Sequence, residues 1–144
     1  MISSVMEKIE REIENTRNFR IIVEGKRDKE VMEKLGFKNV ISICDKKLDE
    51  ILSFIDKDVL ILTDFDEEGE KIAKRLEEFL TSRGVKVRST ERRIFRKIFN
   101  VKKIEELKFI LKFMEDDYNG KACSINDKIF NRSRILMRRN SRKA

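Results

Sequence analysis

Three short runs of nearly continuous apolar residues decide most of what this 144-residue chain can fold into: "RIIV" at Arg20–Val23, "VISI" at Val40–Ile43 and "VLIL" at Val59–Leu62. A strand with one face in water alternates apolar and polar side chains, whereas a strand apolar at successive positions is covered on both faces. The segments between the runs have helical spacing. "KRDKEVMEKLGF" presents Val31, Met32 and Leu35 and closes at Gly36, and "KKLDEILSFI" presents Leu48, Ile51, Leu52 and Ile55. "EEGEKIAKRLEEFLTSRG" presents Ile72, Ala73, Leu76, Phe79 and Leu80 and stops at Gly84. Strands alternating with amphipathic helices imply an α/β domain with a parallel sheet, of about four strands if "VKVRS" is the last.

Around this core the spacing predicts more helices. Ile2, Val5, Met6, Ile9 and Ile13 recur at helical intervals after Ser3 or Ser4, giving a helix to about Asn15. Beyond Thr90, "ERRIFRKIF" and "KKIEELKFILKFMEDD" read as helices that either cover the sheet or pack beside it, and "INDKIFNRSRILMRRN" as another. The expected organisation is an N-terminal helix (1–17), the α/β domain (18–90), a helical extension (91–131) and a basic tail (132–144).

The net charge of +7 is unevenly spread. Residues 1–82 carry −5, 83–103 carry +8, 104–131 carry −2 and 132–144 carry +6. An acidic front followed by basic blocks that interleave apolar residues suits a nucleic-acid binder with a cation-filled acidic site. The absence of histidine excludes a histidine triad base, histidine-ligated zinc and histidine phosphotransfer. Cys44 and Cys123 match no metal or redox spacing and read as free thiols. With no membrane-length apolar window and no signal-peptide core, the expected location is cytoplasmic.

In an open parallel sheet, ligands bind beyond the carboxyl ends of the strands, and the acids concentrate there. Glu24 follows "RIIV", Asp64 and Asp66 follow "VLILT", and Glu67, Glu68 and Glu70 come next. Side chains two apart on an extended segment point the same way, so Asp64 and Asp66 can share an ion. Two unit charges about 4 Å apart repel by roughly 4 kcal/mol at an effective dielectric near 20, so the cluster needs water around it or a cation within it. Helix starts also favour acids, which leaves Glu67, Glu68 and Glu70 open to either role. Glu24 has the alternative of a loop pair with Lys26 or Arg27, and Asp28 that of a helix cap. A donor set of oxygens alone selects Mg²⁺ or Mn²⁺ over zinc. Gly25 and Gly69 allow a sharp turn or a close approach of backbone to phosphate.

"IIVEGKRD", followed about forty residues later by "ILTDFDEEGEKIA", resembles the two motifs of the TOPRIM domain. That domain is shared by topoisomerases, bacterial-type primases, certain nucleases and the ribonuclease that matures bacterial 5S ribosomal RNA. Glu24 and Gly25 match the first motif; Asp64, Asp66, Gly69 and Glu70 match the second. Glu68 falls on a further acid of type IA topoisomerases, but Glu67 stands where their "D-R-E-G-E" run has arginine. The wording is nearest to the 5S-maturing ribonuclease and to small stand-alone primase-like proteins, over about Phe19 to Arg88. Haloacid-dehalogenase, P-loop and receiver patterns fit less well: the first and third put acids after the first strand, and "VEGKRD" lacks the P-loop spacing.

The resemblance implies Glu24, Asp64 and Asp66 as catalytic residues, with Glu24, Asp64, Asp66 and Glu68 as ligands of Mg²⁺ or Mn²⁺. Phosphate or nucleic-acid contacts are expected from Gly25, Lys26, Arg27 and Gly69, from Arg92, Arg93, Arg96 and Lys97, and from Arg132, Arg134, Arg138 and Arg139. The implied activity is nuclease-type cleavage of structured RNA or of DNA, with RNA favoured and ribosomal components as possible partners. The alternatives are a non-catalytic RNA- or ribosome-binding module and primase-like nucleotidyl transfer. The sole tyrosine, Tyr118, sits in a turn-like stretch and reads as structural.

Overall fold

In the computed structural model, which describes residues 2–44 and 46–112, β1 (Arg20–Val23) is the middle of a three-stranded parallel sheet between β2 (Val40–Ser42) and β3 (Val59–Ile61). The register pairs Ile21 with Val40 and Leu60, and Ile22 with Ile41 and Ile61. Successive side chains then divide between the two faces. Ile21, Val23, Leu60 and Leu62 enter one core with α1 (Ile2–Thr16), α2 (Lys26–Lys34) and α5 (Ser89–Phe99). Ile22, Val59 and Ile61 enter the other with α3 (Leu48–Ser53) and α4 (Glu67–Ser82). This two-sided burial is why the strands lack polar alternation.

The expected fourth strand is reduced to one parallel bridge, Val87 on Val59. Gly84, at φ +85°, ends α4, and α5 begins at Ser89, so little chain is left to run beside β3. The bridge is held by the Val59 N–H on the Lys86 carbonyl at 3.0 Å and the Arg88 N–H on the Val59 carbonyl at 2.7 Å, with the Arg88 side chain in a 2.6 Å ion pair with Asp58. "ERRIFRKIF" covers the sheet as α5, burying Phe95 and Phe99. Asn100, in the left-handed conformation that asparagine tolerates, ends that helix. The next segment starts as a 3-10 turn, Ile104–Leu107, and is helical over 108–112. Ile104, Leu107 and Ile110 join the same core as β1. The helix expected in 125–140 and the basic tail, with Arg132, Arg134, Arg138 and Arg139, lie outside the described residues, as does Cys123. Cys44 is free and exposed. Among the described residues no helix is long and apolar enough to cross a membrane.

Two acids on α1, Glu10 and Glu12, are buried. Burial, with the Glu91 charge adding to it, pushes the Glu12 carboxyl up to about 7. The native protein therefore holds a proton between its ordinary value and pH 7 that the unfolded chain has released, and stability falls as pH rises through that window. We expect Glu12→Gln to remove a decline on the order of 2 kcal/mol and to melt above the parent at pH 8. Parallel melting curves of the two proteins between pH 5 and 8 would count against this burial cost.

Candidate metal and phosphate site

Because β1 and β3 are parallel neighbours, their carboxyl ends open on the same edge of the sheet. Glu24 leaves β1 there, and its Oε2 accepts the backbone N–H of Asp64 at 2.9 Å, across 40 residues of sequence. Asp66 is the N-cap of α4, its Oδ1 accepting the Gly69 N–H at 2.8 Å. Asp64 is held from the other side: its Oδ1 accepts the Ile104 N–H at 2.9 Å. Each of the three carboxylates thus has one oxygen fixed by a backbone N–H. The second oxygens of the two aspartates turn to a common cation, the Lys103 ammonium, 3.1 Å from Asp66 Oδ2 and 4.0 Å from Asp64 Oδ2. A cation for the acidic run is thus present in the chain itself.

The acids are held unequally. Burial raises the Glu24 pKa, and the Asp64 and Asp66 charges push it the same way against the Asp64 N–H. The Gly69 N–H and then Lys103 lower that of Asp66. Hydrogen bonding to Asp66, together with the Asp66 and Asp64 charges, raises that of Lys103. Asp28 reaches back from the first turn of α2 to the Gly25 N–H at 3.2 Å, and burial among neighbouring carboxylates takes it up to about 6.

The remaining sequence candidates separate by environment. Glu67 and Glu68 are exposed on the first turn of α4. Glu70 pairs with Arg92 at 3.1 Å and Arg96 at 3.4 Å. Arg92 is turned inward: its guanidinium donates to the carbonyls of Ile61, Thr63 and Asp64 at 2.9 to 3.1 Å and lies over the Phe65 ring. It braces the end of β3, a place the basic run around it does not disclose. Gly69 makes a close approach, but to the backbone of Asp64. Gly25 is open, a Cβ there meeting only Asp28 Oδ2 at 3.9 Å. Arg27 is exposed and 3.8 Å from Glu105, a surface pair that contributes little. Arg93, Arg96 and Lys97 are exposed along α5. Arg93 and Arg96, with Lys74, line a groove of about 330 Å³ between α4 and α5.

Among the described residues no three His, Cys, Asp or Glu side chains are already gathered as a metal cage. The donors nonetheless suit a hard divalent cation. They are all oxygen, they are anchored from behind, and two of them already share a positive charge. Lys103 was the residue missed in the sequence, where it reads only as the end of a basic block.

Residues 19–91 match the Toprim domain family. The chain is similar to the UPF0292 protein of Pyrococcus furiosus, at 48% identity over 51% of this chain and 60% of that protein. To the UPF0292 protein of Methanocaldococcus jannaschii it is 44% identical, over 46% of this chain and 56% of that one. The chain therefore spans less than two thirds of the length of these two relatives. A UPF0292 protein of Thermococcus sibiricus is 35% identical over 74% of this chain and 90% of its own length. A solved structure of a protein from Aquifex aeolicus matches with a TM-score of 0.60 and 31% identity, covering 74% of this chain and 97% of that one.

Proposed function

Because the chain belongs to the Toprim family, we propose that it performs Mg²⁺-dependent phosphodiester chemistry on nucleic acid, cleaving structured RNA in preference to DNA. The single observation that carries this is the approach of Glu24 to Asp64, with Asp64 and Asp66 sharing one cation, at the carboxyl edge of the sheet. Asp64 and Asp66, with Glu24 and the exposed Glu68 of the first turn of α4, would hold Mg²⁺ or Mn²⁺, which when bound polarises phosphoryl oxygens and stabilises the attacking and leaving oxygens. The chain's own part is positioning and proton handling. Glu24, its Oε2 held by the Asp64 N–H, can take up a proton at Oε1. Burial keeps that carboxylate more basic than an ordinary glutamate. Lys26 and Arg27, at the start of α2, would offset negative charge on a phosphate approaching the open backbone at Gly25. Arg93, Arg96 and Lys97 would follow the flanking phosphates along α5, with Arg132, Arg134, Arg138 and Arg139 as further contacts.

A structured RNA and a DNA of the same sequence, end-labelled and incubated with the protein in Mg²⁺ or EDTA, test this. We expect cleavage of the RNA in Mg²⁺, none in EDTA, and a rate at least about 100-fold lower for Glu24→Gln. The glutamine retains an acceptor for the Asp64 N–H, so the fold survives. RNA binding without cleavage in any divalent metal would make the protein a binding module and overturn the nuclease assignment.

A further inference from the structure

Lys103 comes from a segment that is anchored across the site. The Phe65 N–H donates to the Lys102 carbonyl at 2.6 Å, and Ile104 N–H holds Asp64. Glu106 Oε1 accepts the N–H groups of Lys102 and Lys103 at 3.2 and 3.4 Å. Ile104 and Leu107 are fully buried, which fixes the root of the strap in the core. The Lys103 side chain itself lies exposed beyond this anchored backbone. Residues 102–107 also lie beyond the 19–91 stretch that matches the Toprim family, so the core motif is closed here by an element outside it.

We propose that Lys103 is a built-in counter-cation that occupies the metal position between Asp64 and Asp66, so that divalent metal binding must displace its ammonium and is weakened by it. This rests on the metal-site reading above. Asp66 Oδ2 is 3.1 Å from the ammonium, and a divalent ion on that same oxygen would sit within about 5 Å of it, a repulsion of several kcal/mol at an effective dielectric near 20. The displaced ammonium stays tethered beside the site by its anchored backbone. Metal affinity in the substrate-free protein is accordingly set by a competition inside the chain, one that the acidic motif by itself does not contain.

The test measures free Mn²⁺ by its paramagnetic resonance signal during titration of the substrate-free protein, which needs no activity. Lys103→Gln removes the charge and Lys103→Arg keeps it. We expect Lys103→Gln to bind Mn²⁺ roughly tenfold more tightly than the parent, and Lys103→Arg to bind within about twofold of it. Circular dichroism checks that each variant is folded. A parent that binds Mn²⁺ no more weakly than Lys103→Gln overturns the competition while leaving the metal site intact. Failure of parent and Lys103→Gln alike to bind Mn²⁺ overturns the competition and the metal-site reading together.

Discussion

Gly69→Ala is expected to lower stability by at least about 3 kcal/mol, a fall in Tm of roughly 10 °C, and to disorder the acidic edge of the sheet. A Cβ at that position would lie 2.0 Å from the Asp64 carbonyl oxygen and 2.5 Å from its carbonyl carbon. Both are backbone atoms, so no side-chain rotation relieves the clash. The first turn of α4 and the end of β3 would have to separate. That separation would stretch the Gly69 N–H bond to Asp66 and the 2.8 Å bond from the Thr63 hydroxyl to the Gly69 carbonyl. Gly25→Ala is the matched control. Its φ of −126° is open to any residue and its Cβ has room, so its Tm should stay within a few degrees of the parent. Equal melting of Gly69→Ala and Gly25→Ala in a thermal scan would contradict the close packing of α4 on Asp64.

Arg92→Met should cost about 3 kcal/mol or more, seen as a lower denaturant midpoint at an unchanged slope. The methionine fills similar space over Phe65 but leaves the Ile61, Thr63 and Asp64 carbonyls and the Glu70 carboxylate without the guanidinium. Arg92→Lys should recover only part of the loss, because a single ammonium cannot reproduce a planar fork that reaches several carbonyls. A midpoint for Arg92→Met within about 0.5 kcal/mol of the parent would mean that water replaces the guanidinium at no cost.

The parts of the fold that follow from local chemistry were legible in the sequence. "RIIV" and "VLIL" are apolar because α1, α2 and α5 cover one face of the sheet while α3 and α4 cover the other. Glu24, Asp64 and Asp66 could be placed at one edge because parallel strands end together. Asp66 proved to be both the N-cap of α4 and a partner of Lys103, the second of which the spacing did not disclose. The fourth strand was not legible as a single bridge, since its brevity depends on where α5 starts. Nor was the inward turn of Arg92. Beside the exposed Arg93 and Arg96, the half-buried Arg92 differs only through the carbonyls it meets 28 to 31 residues away. Lys103 is 37 residues from Asp66 and is brought to it by burial of Ile104 and Leu107, a tertiary event with no local signature.

The most direct measurement of the central claim is the melting temperature of the parent and of Asp66→Asn in EDTA and in millimolar Mg²⁺. Asparagine caps a helix about as well as aspartate, so the variant keeps the bond from Gly69 and should fold. An ion at about 100 times its dissociation constant adds roughly 2.7 kcal/mol to the protein that binds it. The account predicts a Tm several degrees higher for the parent in Mg²⁺ than in EDTA, and no such rise for Asp66→Asn. Equal Mg²⁺ responses in the two proteins, or none in either, would show that Asp64 and Asp66 hold only Lys103 and that this edge of the sheet is not a metal site.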